Sequence, residues 1–500
     1  MSSATQIRAQ IRSRIADEVG TLWSESPERV ALVYPSPYYV GMSSLGFQTI
    51  YRQIHASGRS AERAFLPDDV EAWRRARLPL VTYEGQRSVS DVPVIAFSVA
   101  YEMELAGVIQ CLELAGLAPL AEDRGPRDPL VIAGGPLTFS NPLPLAPYVD
   151  AILMGECDET IHAALDVIFD GGAGRASRKH ALLSALAEAV PSCFVPAIHG
   201  NAMPAIAKAR DDELPARSAI RTPHTELRDM FLIEAERGCS RGCTYCVMRR
   251  STNGGMRLVS KEKLLSLVPE DAQRVGLVGA AVSDHPKIAE IVEALADQGR
   301  QVGISSLRAD RLNDRFVAAL KRAGYRTLTT ASDGASQRLR DAIQRKTHER
   351  HLLRAAELTR AHGLERLKLY VMVGLPGETD DDIDELVRFS TELSRIIPIS
   401  LGVAPFVSKR NTPLDGLPFA GIKTVEQRLD RLRRGVKGRV DIRATSARWA
   451  WVEWVLAQGG PAEGRAVLDA VHAGGRFADW KRAFEAVPTA RARRALAVVA

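Results

Sequence analysis

Along the first 170 positions apolar residues gather into short runs separated by longer mixed stretches. The runs are Arg29–Tyr34 (RVALVY), Leu80–Tyr83, Val92–Val99 (VPVIAFSV), Pro129–Gly134 (PLVIAG) and Val149–Met154 (VDAILM). Such runs, without strict alternation, predict strands buried on both faces. The stretches near 43–56, 102–116 and 158–169 predict helices, and this alternation predicts a mostly parallel, doubly wound, Rossmann-like sheet. Residues 1–25 predict a lead helix. The stretch 171–229, with Gly171-Gly172, Pro191, Pro196, Pro204 and the charged run Lys208–Glu213, predicts a linker with a short hairpin. A second α/β series follows, with predicted strands Phe231–Glu234, Arg274–Val278, Val302–Ser305, Thr327–Thr330, Leu367–Val373 and Ile399–Ala404. Its helices are predicted over Pro286–Gln298, Arg311–Ala323, Ser336–Gln344, Glu349–His362 and Asp380–Arg395. Six βα units are too few for an eight-unit barrel and predict a partial, open (βα)6 barrel. After residue 421 the pattern is helical and carries Trp449, Trp451 and Trp454.

Composition leaves this picture intact and bounds it. The chain has 500 residues, 46% hydrophobic and 25% charged, which excludes a mainly disordered state, and its 38 Gly and 27 Pro exclude collagen-like repeats. The length predicts about three domains, here 1–200, 225–420 and 421–500. The net charge of +6 is unevenly spread, because residues 421–500 hold sixteen Lys/Arg against eight Asp/Glu. A basic terminal region is read either as a solvated helical face or as a surface for a phosphate-bearing partner such as a nucleic acid. There is no apolar run of the length a membrane span needs, and the N-terminal segment with Arg8, Arg12, Arg14, Asp17 and Glu18 lacks the apolar core of a signal peptide. A cytoplasmic protein without membrane contact is expected.

The six cysteines are too sparse for a secreted disulfide framework. Cys111, Cys157 and Cys193 lie in apolar or loop contexts and are expected to be buried as small hydrophobes. Cys239, Cys243 and Cys246 instead fall within eight residues, in a Gly-flanked loop after a predicted strand. Three thiolates at this spacing can each ligate one iron of a [4Fe–4S] cube, and the fourth iron is then left without a protein ligand. No fourth cysteine follows, and the next downstream histidine is His285. A structural metal knuckle would close that position, whereas an open one suits chemistry by direct coordination.

With Tyr245 at its aromatic position, this segment resembles the Cx3CxΦC signature of the radical S-adenosylmethionine (SAM) superfamily. The resemblance implies a partial (βα)6 barrel and a [4Fe–4S] cluster on Cys239, Cys243 and Cys246. It also implies SAM bound through its methionyl amino and carboxylate groups, and an external electron donor such as flavodoxin or ferredoxin. Electron transfer into the sulfonium would release a 5′-deoxyadenosyl radical, chemistry that no side chain supplies alone. Other segments extend the likeness. Gly279, in Leu277–Val282, falls where the family has a Gly-rich strand end near the methionyl amine, although the usual Gly-Gly-Glu is absent. Arg308 is placed to meet the methionyl carboxylate or to form a surface ion pair. Asp333 stands where relatives have a glutamate turn, and it or Ser332 also suits a helix N-cap. Gly374 and Pro376, in Tyr370–Thr379, fall on the strand that lies against adenine in the family. The loop Pro405–Pro413 resembles the substrate-side loop of B12-type and methylthiotransferase-type relatives.

The first sheet resembles the cobalamin-binding domain that precedes many such barrels. Ser98, Gly134 and Gly135 would face the dimethylbenzimidazole tail, and Gly155 and Glu156 would close the next strand end, all at the carboxyl ends of parallel strands. The histidine element Asp-x-His-x-x-Gly is absent, the loop reading Tyr34–Gly41, and His55 on the next helix is expected at the surface. The whole chain thus resembles B12-binding-domain radical SAM proteins. The implied reaction is cobalamin-dependent methyl transfer to an unactivated centre. The alternatives are a cobalamin-independent rearrangement or sulfur insertion on RNA or a small metabolite, and a non-enzymatic RNA-binding iron–sulfur protein. No residue names the substrate, small molecule or macromolecule.

Overall fold

A computed structural model of the chain describes residues 3–170, 179–248, 255–305 and 307–488. The expected Gly171-Gly172 linker, Ser306 and the last twelve residues of the basic region lie outside the described residues.

The first sheet contains β1 (Arg29–Tyr34), β2 (Ser60–Phe65), β3 (Val94–Ser98), β4 (Leu130–Gly134), β5 (Ala151–Leu153) and β6 (Cys193–Phe194), ordered β2-β1-β3-β4-β5-β6. All neighbours are parallel except β5 and β6, an antiparallel pair; among the described residues of 171–229 the expected short hairpin does not form, and β6 joins the first sheet instead. Strand β2, Ser-Ala-Glu-Arg-Ala-Phe, carries no apolar run and was not expected. Its charges are buried because each is paired: Arg63 sits between Glu18 (2.7 Å) and Glu84 (2.6 Å), and Glu62 between Arg29 and Arg87 (3.0 Å each). The expected strand Leu80–Tyr83 is not one. It forms a single bridge, Val81 to Ser88, and its amides donate to three separate segments through Leu114, Arg87 and Arg63 carbonyls. His55 is not a free surface residue either, since its ring contacts Ser24 Oγ (2.9 Å) and the Ala61 carbonyl (3.1 Å).

The second region begins with β7 (Met230–Glu234) and a short antiparallel hairpin, β8 (Glu236–Gly238) with β9 (Met256–Leu258). It continues through β10 (Arg274–Val278), β11 (Gln301–Ile304), β12 (Thr327–Asp333), β13 (Arg366–Val373), β14 (Ile399–Pro405) and β15 (Val440–Ala444). Parallel sheets β11-β10-β7 and β12-β13-β14-β15 are joined by a parallel bridge from Leu307 to Thr330, which makes one open array. The region after 421 is helical apart from β15, which extends the array by pairing with β14. Leu367, Leu369, Val371 and Val373 of β13 pack with Leu352, Ala355 and Ala356 of helix Glu349–Ala361. Strand residues between them point to the opposite face, which the helices do not cover.

Helices Ala447–Gln458, Pro461–His472 and Phe477–Ala486 turn back onto the first sheet. Val452, Leu456, Val467 and Trp480 share a core with Ile95, Val108 and Leu145, and Asn141 donates to the carbonyls of Leu456, Ala457 and Gly459 (3.1, 3.1 and 2.8 Å). Part of the basic excess is used internally. Arg428 pairs with Glu378, Arg431 with Asp380 and Asp384, Arg465 with Glu122, and His472 Nε2 meets Glu113. Among the described residues no helix is long and apolar enough to cross a membrane.

Candidate iron–sulfur and cofactor site

Cys239, Cys243 and Cys246 lie in the loop between β8 and β9, so the base of that hairpin sets where the thiols stand. In register, Arg237 of β8 faces Arg257 of β9. Two like charges directly opposite repel. Glu156, from the end of β5, neutralises them: its carboxylate accepts from Arg257 Nη2 (2.6 Å) and lies 3.6 Å from Arg237 Nη1. Arg237 also binds Asp158 (2.9 Å) and Glu234 (2.7 Å), and Glu156 accepts from the Ala209 amide (2.9 Å). The loop is thereby anchored to the first sheet by a nearly buried ion network.

Within the loop Cys243 is buried, and Cys239 and Cys246 are half-buried. Burial pushes the Cys239 and Cys246 thiols up, and neighbouring cysteines push each up further. The Thr244 amide donates to the Ile343 carbonyl (3.1 Å). The Tyr245 hydroxyl donates to Asp333 Oδ2 (2.7 Å), and Arg345 Nε meets the same oxygen at 2.5 Å. Arg345 Nη2 also donates to the Ala331 carbonyl (3.4 Å). Asp333 therefore binds the cysteine loop to the end of β12, helped by a bulge there and a left-handed φ of 61°. The N-cap of the next helix, Gln337–Ala342, is Ser336 rather than Ser332 or Asp333.

The donor set fits an iron–sulfur cluster. Soft thiolates suit it; the Arg308 charge pulls the Cys239 thiol down against its burial, and the Arg241 amide donates to Cys239 Sγ (3.4 Å) while its side chain pairs with Asp284 (3.0 Å) and Asp310 (3.1 Å). Nearby cations favour the thiolate form. Groups suited to an amino acid ligand lie beside them. Arg308 is buried, and its Nη2 makes no aligned hydrogen bond although Asp310 Oδ1 is 3.0 Å away. Glu236 is fully buried; Oε1 accepts from the Ala281 amide (2.6 Å) and Oε2 has no partner among the described residues. A Cβ at Gly279 would lie 2.3 Å from Glu236 Oε1, so this glycine makes room for the carboxyl. Sequence reasoning missed Glu236; the signal was a lone acid between strand and cysteine motif. Burial pushes this carboxyl up to about 7 from 4.5. The folded state then holds a proton that the unfolded state releases, so stability falls as pH rises from 4.5 through 7. Glu236→Gln is expected to flatten that part of the Tm–pH curve relative to wild type; parallel curves would count against it.

Other expected contacts are already taken. Gly374 has φ +89°, and a Cβ there would lie 3.1 Å from Ala420 Cβ. Its amide donates to Glu378 Oε1 (2.8 Å), which pairs with Arg428 (2.9 Å), while Pro376 is exposed. In the first sheet, Gly135 (φ +109°) would bring a Cβ within 2.6 Å of the Val99 carbonyl, and Gly155 (φ +93°) within 2.5 Å of Ala207. Ser98 and Gly134 are register partners at the ends of β3 and β4, and a Cβ at Gly134 would meet nothing closer than 3.6 Å. The loop Pro405–Pro413 is held by Lys409, whose ammonium bonds Glu102 and Glu453 (2.7 Å each).

Residues 46–196 match the family model described as "Radical SAM proteins, N-terminal", and residues 233–390 match "Radical SAM superfamily". An uncharacterized protein of Methanocaldococcus jannaschii is 27% identical over 399 residues, 78% of this chain and 79% of that one. The ribosomal protein uS12 methylthiotransferase RimO of Clostridioides difficile is 24% identical over 38% of this chain and 45% of its own. The fold is similar to that of the radical SAM methyltransferase TsrM from Kitasatospora setae, solved with cobalamin and a [4Fe–4S] cluster bound: TM-score 0.54, 14% identity, 80% of this chain and 78% of that chain. The cobalamin-dependent SAM radical enzyme OxsB, solved with aqua-cobalamin, gives TM-score 0.50 at 13% identity over 83% of this chain and 57% of its own.

Proposed function

The chain belongs to the radical SAM superfamily, and from that premise we propose that it cleaves SAM reductively at a [4Fe–4S] cluster held by Cys239, Cys243 and Cys246. The observation that carries this reading is three thiols on one loop anchored by the Glu156 ion network and by the Tyr245–Asp333 hydrogen bond, with the Arg241 amide donating to Cys239 Sγ (3.4 Å). The cluster, when bound, supplies the low-potential electron. The chain's own residues hold and orient. Arg308 offers a buried guanidinium to a methionyl carboxylate, and Glu236 offers its unpartnered oxygen to the ammonium. Tyr245 and Arg345, both bound to Asp333, fix the loop against β12.

Cobalamin-dependent methyl transfer is the finer reading, supported by the likeness to cobalamin-bound TsrM. The first sheet puts a condition on it. Gly135, Gly155 and Glu156 are engaged by the protein itself, so only Ser98 and Gly134 of the five expected residues mark a site where a ligand could approach. These residues do not by themselves make a corrinoid cradle. Two measurements test the proposal in turn. Anaerobic protein with dithionite and SAM is expected to release 5′-deoxyadenosine or S-adenosylhomocysteine, and the absence of both overturns SAM cleavage. Hydroxocobalamin retained through gel filtration, read by its visible absorption, supports methyl transfer; none retained at saturating concentration removes that reading and leaves the corrinoid-free one.

A further inference from the structure

The face of β12–β15 opposite the packed helices carries Asp333, which holds the cysteine loop, and beside it Lys368 and Tyr370, which neither the core nor that loop uses. In β13 the residues between the buried leucines and valines are half-buried, and Tyr370, in mid-strand, is 41% exposed. Register places Lys368 between Thr329 and Ser400, and Tyr370 between Ala331 and Gly402. Small neighbours on both sides give the ring its room: a Cβ at Gly402 would lie 2.7 Å from Tyr370 Cδ1. Glycine within a strand weakens it and marks a close approach. Lys368 Nζ rests 4.7 Å from the Tyr370 ring centroid, a cation–π contact. Among the described residues Lys368 forms no ion pair with a carboxylate. Arg366 and Arg443 stand nearby and share one acid, Asp441, at 3.5 and 3.3 Å, which also accepts from Ser400 (3.0 Å). The patch therefore has three cations to one carboxylate. It is continuous with the cysteine loop, because Ala331, the register partner of Tyr370, is two residues before Asp333 on β12.

We propose that this face binds an anionic group of the substrate, a carboxylate or phosphate, through Lys368, with the Tyr370 ring as the flat surface along which the substrate runs toward the cysteine loop. The inference rests on the reaction proposed above for the word substrate, but the binding itself needs no SAM chemistry. A polar, half-open inner face is costly to keep in a strand unless something uses it, since apolar residues there would add buried area.

The test is calorimetric titration of the full-length chain, as purified and after iron–sulfide reconstitution, with pyrophosphate and with citrate at low salt. Wild type is expected to bind at least one, and the preferred probe tells phosphate from carboxylate recognition. Lys368→Gln is expected to weaken binding roughly tenfold, the worth of one charge-assisted contact, with an unchanged Tm showing that it folds. Tyr370→Leu is expected to weaken binding as well, and Lys423→Gln, an exposed lysine on helix Ile422–Val436, to leave it unchanged. No binding of either probe to wild type, or equal binding to Lys368→Gln, overturns the proposal. Probe binding without SAM cleavage would instead overturn the reaction and leave the anion site standing.

Discussion

Alanine at Cys243 is expected to strip the cluster and silence the enzyme. Iron retained after reconstitution should fall roughly 100-fold or more, since changes beyond the ligands themselves already cost ~10–100-fold in metal affinity. 5′-Deoxyadenosine release should drop to background with it. Cys243 is the buried member of the three. Cys111→Ala is the control: Cys111 lies in the core of the first sheet with Ile109 and Leu112, remote from the loop, and its thiol is pushed up by burial alone. It should cost some stability and keep both cluster and turnover. Full iron content and turnover in Cys243→Ala would sink the assignment of the loop as the cluster site.

Glu156→Ala carries the second large effect, although Glu156 is on the first sheet and the thiols are on the second. Removing it leaves Arg237 and Arg257 opposite each other in register, both nearly buried. Breaking a buried ion pair by deleting one partner costs about 3–5 kcal/mol. Asp158 and Glu234 still neutralise Arg237, and Arg257 keeps only the exposed Asp211 at 3.4 Å, so the weakly balanced charge is chiefly that of Arg257. The hairpin whose loop holds all three cysteines should open at its base, which lowers both the urea midpoint and the iron retained. Adding Arg257→Met should restore much of each, because a packed apolar side chain replaces an orphaned charge. Glu156→Ala within about 0.5 kcal/mol of wild type, the range of ordinary surface changes, and with full iron content, would refute the anchoring role.

The two changes show where sequence and structure divide the work. The cysteine loop was legible because three soft ligands at fixed spacing form a local pattern, as were β1, β3, β4 and most strands of the second array, whose apolar runs need no partner to be recognised. Strand β2 was hidden because its Glu62 and Arg63 look like surface residues until Arg29, Arg87, Glu18 and Glu84 are brought to them from elsewhere in the chain. Glu156 was read as a cofactor contact from its place after a Gly at a strand end. Its partner Arg257 is 101 residues away, and no local pattern joins them. Glu236 and Gly279 were likewise two separate features until folding set one against the other at a distance that admits no Cβ.

The basic C-terminal region shows the same limit. Its charge was read as a solvated face or a surface for a phosphate-bearing partner, and neither reading showed that Arg428, Arg431, Arg465 and His472 meet acids of the chain's own body. By itself the sequence determined the metal chemistry on offer, the alternation of strands and helices and the superfamily, because these depend on residue type and short spacing. Only the tertiary structure decided which charges are spent on folding and which stand open to a ligand. That choice depends on partners distant in sequence, and burial makes each unpaired group expensive enough to matter.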